Sequence, residues 1–284
     1  MVNKGYLKKE DKSYPQPLRK IKKPPTGLYY KGNFDSNLFK ETLAVVGSRK
    51  ITSYGKMVTE KLVSEVVSCG ITIVSGFMYG VDALSHQTAV DAGGKTIAVL
   101  PCGVDIVHPS HQRALYQKVL KNGFFISEYE NNALPEKWTY PQRNRIVVGI
   151  SSAVLVVEAE EKSGSMISAN IAIENKKQLF AVPGSIFSST SKGTNLLIKE
   201  GITAVTSSSD ILNFYGRKEK SKENKEETLS KEERDILLLI KREEMDVDEI
   251  ARKLKKPVSE VNATLSFLEI KGFLKKKGRS YYAI

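Results

Sequence analysis

Seven times between residues 43 and 205 the chain sets down a short, unbroken apolar run. They are Leu43-Ala44-Val45-Val46, Ile71-Thr72-Ile73-Val74, Thr96–Leu100, Gly123–Ser127, Val154–Val157, Leu179–Val182 and Ile202–Val205. A strand with one wet face alternates apolar and polar side chains. These runs do not, so each predicts a strand buried on both faces. Between them the pattern turns helical, near Ser53–Cys69, Val81–Ala92, Gln112–Lys121, Arg143–Ser151 and Ser165–Asn175. Strands that alternate with helices imply parallel βαβ units. The expectation over residues 41–216 is therefore an α/β domain, a Rossmann-like, doubly wound and mostly parallel sheet. Its ligands belong beyond the carboxyl ends of the strands.

The flanks differ in chemistry. Residues 1–40 carry ten Lys and Arg against three Asp and Glu, with Pro15, Pro17, Pro24 and Pro25. They predict a basic N-terminal extension wrapping onto the core. Residues 41–216 are nearly neutral, sixteen basic against fifteen acidic. Residues 217–227 are mixed-charge and almost free of apolar side chains, which reads as a linker. In residues 228–284, Ser230 and Glu233 form a capping box that opens an apolar helix. A short helix over Val247–Leu254 and a longer one over Pro257–Ile270 follow, with Val258, Val261, Leu265 and Leu268 on one face. Two terminal strands flank Lys275-Lys276-Lys277-Gly278-Arg279. Three helices and a basic-tipped hairpin predict a small C-terminal winged helix domain. The net charge of +12 thus sits mainly at the two ends, where it would steer a polyanion.

Several function classes find no support. There is no run of about 18 apolar residues and no signal peptide, so a cytoplasmic protein without a membrane partner is expected. Cys69 and Cys102 make no metal or redox spacing, and His86, His108 and His111 make no helical ligand pair, so no metal is expected. A Walker loop, a Gly-x-Gly-x-x-Gly turn after the first strand and a Gly-x-Ser-x-Gly elbow are all missing, and no cofactor is expected.

What the strand ends do carry is small and anion-friendly. Gly47-Ser48-Arg49 follows the first strand, Ser75-Gly76 the second, and Pro183-Gly184-Ser185 a later one. Glu158 precedes Ser163-Gly164-Ser165 at a helix start. Glycine lets a backbone approach an anion, serine donates, and arginine offers a fork. Tyr140-Pro141-Gln142-Arg143-Asn144-Arg145 adds an aromatic face, two guanidinium groups and an amide directly before an apolar helical run. An aromatic face stacks an unpaired base, and arginine forks and a helix N-terminus suit phosphate. A solvated basic loop would look the same in isolation. Asp82 and His86, four apart, read either as an acid/base pair or as a cap that packs a helix start.

The ordered series resembles the DNA-processing protein A family, also called Smf. It comprises Gly47-Ser48-Arg49, Tyr54-Gly55, Ser75-Gly76, Gly80-Val81-Asp82 with His86, Gly94–Leu100, Gly103, Asp105, Ser127-Glu128, Pro141 with Arg143-Asn144-Arg145-Ile146, Val157-Glu158-Ala159, Ser163-Gly164-Ser165, Ala181-Val182-Pro183-Gly184 and Gly193-Thr194-Asn195. The resemblance spans roughly residues 15–284. It implies a non-enzymatic protein that binds single-stranded DNA, protects incoming strands, and loads RecA recombinase onto them as a homodimer in natural transformation and recombination. It implies that Arg49 binds phosphate, that Tyr140 stacks on a base with Lys137 three residues before it, that Arg143 and Arg145 form the rim, and that Gly164 and Ser165 form the floor. The implied DNA-binding set is Gly47, Ser48, Arg49, Ser75, Gly76, Lys137, Tyr140, Arg143, Asn144, Arg145, Gly164 and Ser165. His108 stands where tyrosine is usual, Met78-Tyr79 replace the usual pair before Gly80, and Tyr140 replaces phenylalanine. The family's N-terminal helical domain is missing or reduced to the first forty residues. Two rival readings share the fold: a nucleotide N-glycosidase, although its glutamate motif is absent, and a nucleotide-sensing module.

Overall fold

The structure, a computed structural model, describes residues 3–218 and 229–283. It divides into two compact units, Met1–Lys220 and Ser221–Ile284. Residues 219–227 of the expected linker lie outside the described residues.

The first unit begins with strands β1 (Lys4–Lys8) and β2 (Gly27–Gly32), separated by a one-turn helix, α1 (Gln16–Arg19). All seven apolar runs form strands: β3 (Thr42–Val46), β4 (Thr72–Gly76), β5 (Thr96–Val99), β6 (Gly123–Ser127), β7 (Ala153–Val156), β8 (Gln178–Ala181) and β9 (Thr203–Ala204). They join one nine-stranded sheet in the order β1-β2-β6-β5-β4-β3-β7-β8-β9. The pairs from β6 through β9 are parallel, while β1–β2 and β2–β6 are antiparallel.

The connecting helices are α2 (Ser53–Ser68), α3 (Val81–Asp91), α4 (Arg113–Asn122), α5 (Thr139–Ile150), α6 (Gly164–Glu174), α7 (Lys192–Lys199) and α8 (Ser208–Leu212). Successive side chains of a strand point to opposite faces, and both faces are covered from β3 to β8. The edge strand β9, expected to be buried, is exposed at Thr203 and Ala204, because only β8 flanks it among the described residues. Leu43 and Val45 pack with Leu62, Val66 and Ala89 of α2 and α3. Ala44 and Val46 pack with Ile146, Ile150, Met166 and Ala169 of α5 and α6. This is why the runs show no alternation.

Two further features differ from the sequence expectation. First, residues 1–40 do not merely wrap the core. Leu28 is fully buried, and Tyr30 pairs with Ile126. Without β2, β6 would be an open edge with unpaired backbone groups. Leu18 and Ile21 reach α5 at Gly149, where an added Cβ would collide with both. Second, α5 starts at Thr139, four residues before the expected helix start. Pro141 sits in the first turn, where its missing N–H removes no intrahelical bond. Helix α7 carries Gly193-Thr194-Asn195 in its first turn.

The second unit holds α9 (Lys231–Arg242), β10 (Met245–Asp246), α10 (Val247–Leu254), α11 (Val258–Ile270), β11 (Leu274–Lys277) and β12 (Ser280–Ala283). Its sheet order is β10-β12-β11. The Ser230–Glu233 capping box forms as expected. Ile236, Ile240, Val261, Leu265, Leu268, Leu274 and Tyr281 make its core. Val258, expected on the buried face of α11, is exposed, because it occupies the first helical position, outside that core.

Candidate functional site

Chain order reverses direction in the sheet at one place. From β3 the strands step outward through β4 and β5 to β6, and the chain then returns to lay β7 on the other side of β3. Two connections therefore leave in opposite directions at the carboxyl ends of β3 and β7, and a crevice opens between them. A cavity of about 470 Å³ lies there.

Three segments wall it: Val46–Lys50 after β3; Glu160 and Ser163-Gly164-Ser165 with Ser168 after β7; and Arg143, Asn144 and Val147 from α5. Met78 and Asp82 complete it. Gly47, Ser48, Arg49, Arg143, Asn144, Gly164 and Ser165 are thus brought together. Ser163 caps α6, its hydroxyl accepting from the Met166 N–H. The first-turn N–H groups of Gly164 and Ser165 have no intrahelical acceptor, so this wall is a donor surface with a positive partial charge.

The two arginines differ. Arg49 is exposed and makes no ion pair among the described residues. Its guanidinium lies over the Tyr140 ring, 5.3 Å from the centroid. Arg143 is 4 % exposed, with Nη1 3.8 Å from Asp82 Oδ2 and a buried Nε that has no hydrogen-bond partner. Burial pushes the Asp82 carboxyl above its usual range, against the pull of Arg143. Burial likewise lowers the Arg143 guanidinium from its usual value, but arginine stays charged in proteins. A buried cation with one weak partner at a cavity wall is a place where an anion is stabilised.

The remaining expected residues lie around this centre. Tyr140 is half-buried beside it, its hydroxyl 2.6 Å from His108 Nε2, and burial raises its pKa. Lys137 is exposed. Ser75 and Gly76 stand behind the cavity. The Ser75 hydroxyl donates to the Val45 carbonyl at 2.6 Å, and a Cβ on Gly76 would strike Arg143 and Asp82. Arg145 does not join the rim. Its guanidinium is held by Glu128, and Nη1 donates to the Lys23 carbonyl at 2.6 Å, tying the N-terminal segment to α5. The two residues lie on different sides of α5, because positions two apart on a helix do not face the same way.

Asp82 and His86 do not act on each other. His86 is fully buried, with Nε2 2.7 Å from the Gly76 carbonyl and Nδ1 2.7 Å from Thr96 Oγ1. Burial lowers its pKa to about 4. Glu158 accepts from Thr52 and Thr190 and lines a second cavity with Tyr54, Gly184 and Ser185. Asp82 as the Arg143 partner, and Lys50, Met78 and Glu160 as wall residues, were not read from sequence. Only their place one residue beyond a strand-end motif or one helical turn along could have flagged them.

Comparison with known proteins extends this picture. The family model for DNA recombination-mediator protein A matches residues 5–216, and the model for the DprA winged helix domain matches residues 220–277. A DNA processing protein DprA of Bacillus subtilis is 38% identical over 200 residues, 70% of this chain and 67% of that protein. The X-ray structure of DNA processing protein A from Streptococcus pneumoniae superposes with a TM-score of 0.70 at 38% identity, covering 74% of this chain and 73% of that one. DNA processing protein A from Helicobacter pylori, whose structure is described as giving insight into a unique single-stranded DNA binding mode, superposes at 0.67 and 32% identity, covering 75% and 95%.

Proposed function

This chain belongs to the DNA recombination-mediator protein A family, and from that premise we propose that it binds single-stranded DNA at the crossover cavity. It protects incoming strands there and hands them to RecA during natural transformation and recombination. It works as a cytoplasmic homodimer, and it breaks no covalent bond. The observation that carries the reading is the buried Arg143 in one cavity wall with Arg49 and the α6 N-terminus.

Each residue has a part. Gly47 and Ser48 keep the first wall low and polar. Arg49 and Arg143 take phosphate oxygens, joined by the N–H groups of Gly164 and Ser165 and by the Asn144 amide. Tyr140 stacks an unpaired base, and the exposed Lys137, three residues before it, adds a cation for the strand. Ser75, Gly76 and Arg145 frame the site: Ser75 ties β4 to β3, Gly76 leaves room for Arg143, and Arg145 anchors the N-terminal segment. Stacking requires a base released from its pair, which favours single strands over duplex.

The test is binding to single- and double-stranded DNA of equal length across a salt series. Trp138, the only tryptophan in the chain, lies two residues from Tyr140 and reports binding through its fluorescence. Single strands are expected to bind more tightly. Arg49→Ala is expected to flatten the log–log salt slope by about 0.7, the share of one phosphate contact. Equal affinity for both forms, or an unchanged slope, would overturn the reading.

One observation favours a second reading. Glu160 places a carboxylate in the cavity wall, where a nucleotide N-glycosidase would need one. Release of free base from nucleoside monophosphates, lost in Glu160→Gln, would establish that activity instead.

A further inference from the structure

Beside the cavity mouth lies a pair of rings that the strand-end motifs did not include. Tyr79 and His111 are stacked, with centroids 5.0 Å apart and planes only 9° from parallel. Such a pair, one face of each ring covered by the other, is a two-layer aromatic platform. Both residues are exposed, Tyr79 at 45 %. Two exposed rings held flat against each other leave an outer aromatic face on which a further flat ring can stack.

The platform is fixed to the site. Met78, one residue before Tyr79, lines the cavity. Gly80, one residue after, abuts the Ser48 and Arg49 backbone so closely that a Cβ there would collide with it, and its φ of 70° is one that favours glycine. The Val81 N–H donates to the Ser48 carbonyl at 3.2 Å. Tyr79 is thus held next to the loop that carries Arg49. On the other side, Gln112 follows His111, and its Nε2 donates to the Met78 carbonyl at 3.1 Å, locking the two halves of the platform together. The Gln112 Oε1 atom is buried without a partner. His108, three residues before His111, has its Nε2 2.6 Å from the Tyr140 hydroxyl, which ties the segment that bears His111 to Tyr140. Arg49, with its guanidinium over Tyr140, belongs to the loop that Gly80 abuts.

We propose that the Tyr79–His111 pair is a second base-stacking site, which takes an unpaired nucleobase next to the one stacked on Tyr140. The proposal rests on the single-strand reading of the crossover cavity. Its physical basis is the spacing of chemistry on the surface. A single strand presents a base, a phosphate and a base in turn, and the loops present a ring pair, an arginine and a ring. Every base has a π-face, so the site is tolerant of sequence.

The experiment measures affinity of the full chain for oligothymidylates that lengthen one nucleotide at a time, in wild type, Tyr79→Ala, Tyr79→Phe and Tyr140→Ala. The wild type is expected to gain affinity in a step when a strand becomes long enough to reach both ring sites. Tyr79→Ala should lose that step, weakening the longer strands roughly five- to hundred-fold while leaving the shortest unaffected. Tyr79→Phe should keep it, because the ring remains. An abasic nucleotide at the matching position of the wild-type complex should mimic Tyr79→Ala. Thermal melting of the variants confirms folding, and the exposed position of Tyr79 predicts little change. If the wild type binds single strands and Tyr79→Ala binds every length equally well, the second site is wrong while the cavity reading stands. If the wild type binds no single strand, the cavity reading falls and this one falls with it.

Discussion

Arg143 shows how a single residue's role depends on what surrounds it. A guanidinium taken out of water is costly, and Asp82 at 3.8 Å repays only part of the cost. Both groups are held where they are by the absence of a side chain at Gly76. This gives a contrast between two glycines of the same site. Gly76→Ala should push Arg143 or Asp82 aside and reduce single-strand affinity, with some loss of stability, on the order of the 1–3 kcal/mol typical of overpacking. Gly164→Ala meets nothing within 4 Å. It occupies the first turn of a helix, so it should fold normally, but its methyl would stand at the cavity wall where a phosphate approaches, so it should weaken binding without loss of stability. Equilibrium unfolding and binding titrations on both variants check this, and equal stability of the two would remove the packing role of Gly76.

At the scale of elements, the informative comparison is between α6 and α11. Helix α6 offers its capped N-terminus to the crossover cavity. Helix α11, the longest of the winged helix unit, carries only Glu260 and Glu269 as charges within its span, with Lys271 just beyond. Its exposed side chains include Phe267 and Ile270. A helix that reads DNA needs cations and hydrogen-bonding side chains on its outer face. A run of basic residues, Lys275, Lys276, Lys277 and Arg279, lies instead about the terminal hairpin. A chain that ends at residue 218 retains the whole nine-stranded unit with its own core. It should keep most single-strand affinity. Loss of nearly all affinity on this truncation would make the winged helix unit the main binding element.

At the scale of the whole molecule, charge and stoichiometry matter more than any contact. The net charge of +12 is carried mainly by the first forty residues and by the region after 216, around a nearly neutral centre. Most of the net charge thus lies outside the stretch of sequence that carries the proposed ligands, and its long-range attraction for a polyanion is screened by salt. A mediator must hold strands firmly yet yield them to a recombinase. Grooves of stacking and phosphate contacts can release a nucleotide at a time, and two grooves in a dimer raise local strand concentration without new contacts. The expected outcome is faster strand exchange by cognate RecA on DNA already coated with single-strand-binding protein, lost in Arg49→Ala. Tight DNA binding with no RecA stimulation at any ratio would leave a DNA-binding protein that is not a mediator.

Much of this protein was legible in one dimension. Seven unbroken apolar runs marked seven strands, and in all but the exposed edge strand β9 the reason is that burial on both faces leaves no polar position in the pattern. The capping box at Ser230 and Glu233 marked the start of α9, because a cap is satisfied by residues three apart. Gly47-Ser48-Arg49 and Ser163-Gly164-Ser165 could be named as wall residues, because the loops at a topological switch point carry the ligand chemistry of such sheets. What the chain order could not reveal was which of two neighbouring arginines faces the cavity. Arg143 and Arg145 are alike in type and two positions apart, yet one lies against Asp82 and the other is spent on Glu128 and the Lys23 carbonyl. That depends on the phase of α5 and on a segment more than a hundred residues earlier in the chain. The same holds for β2, a strand only because β6 needs an edge partner, and for Tyr79 and His111, which stack across thirty-two positions of sequence because the ends of β4 and β5 lie side by side. Local propensity and patterning determine which elements form. Which side chains meet is decided by the packing of elements far apart in sequence, and only the folded sheet supplies that.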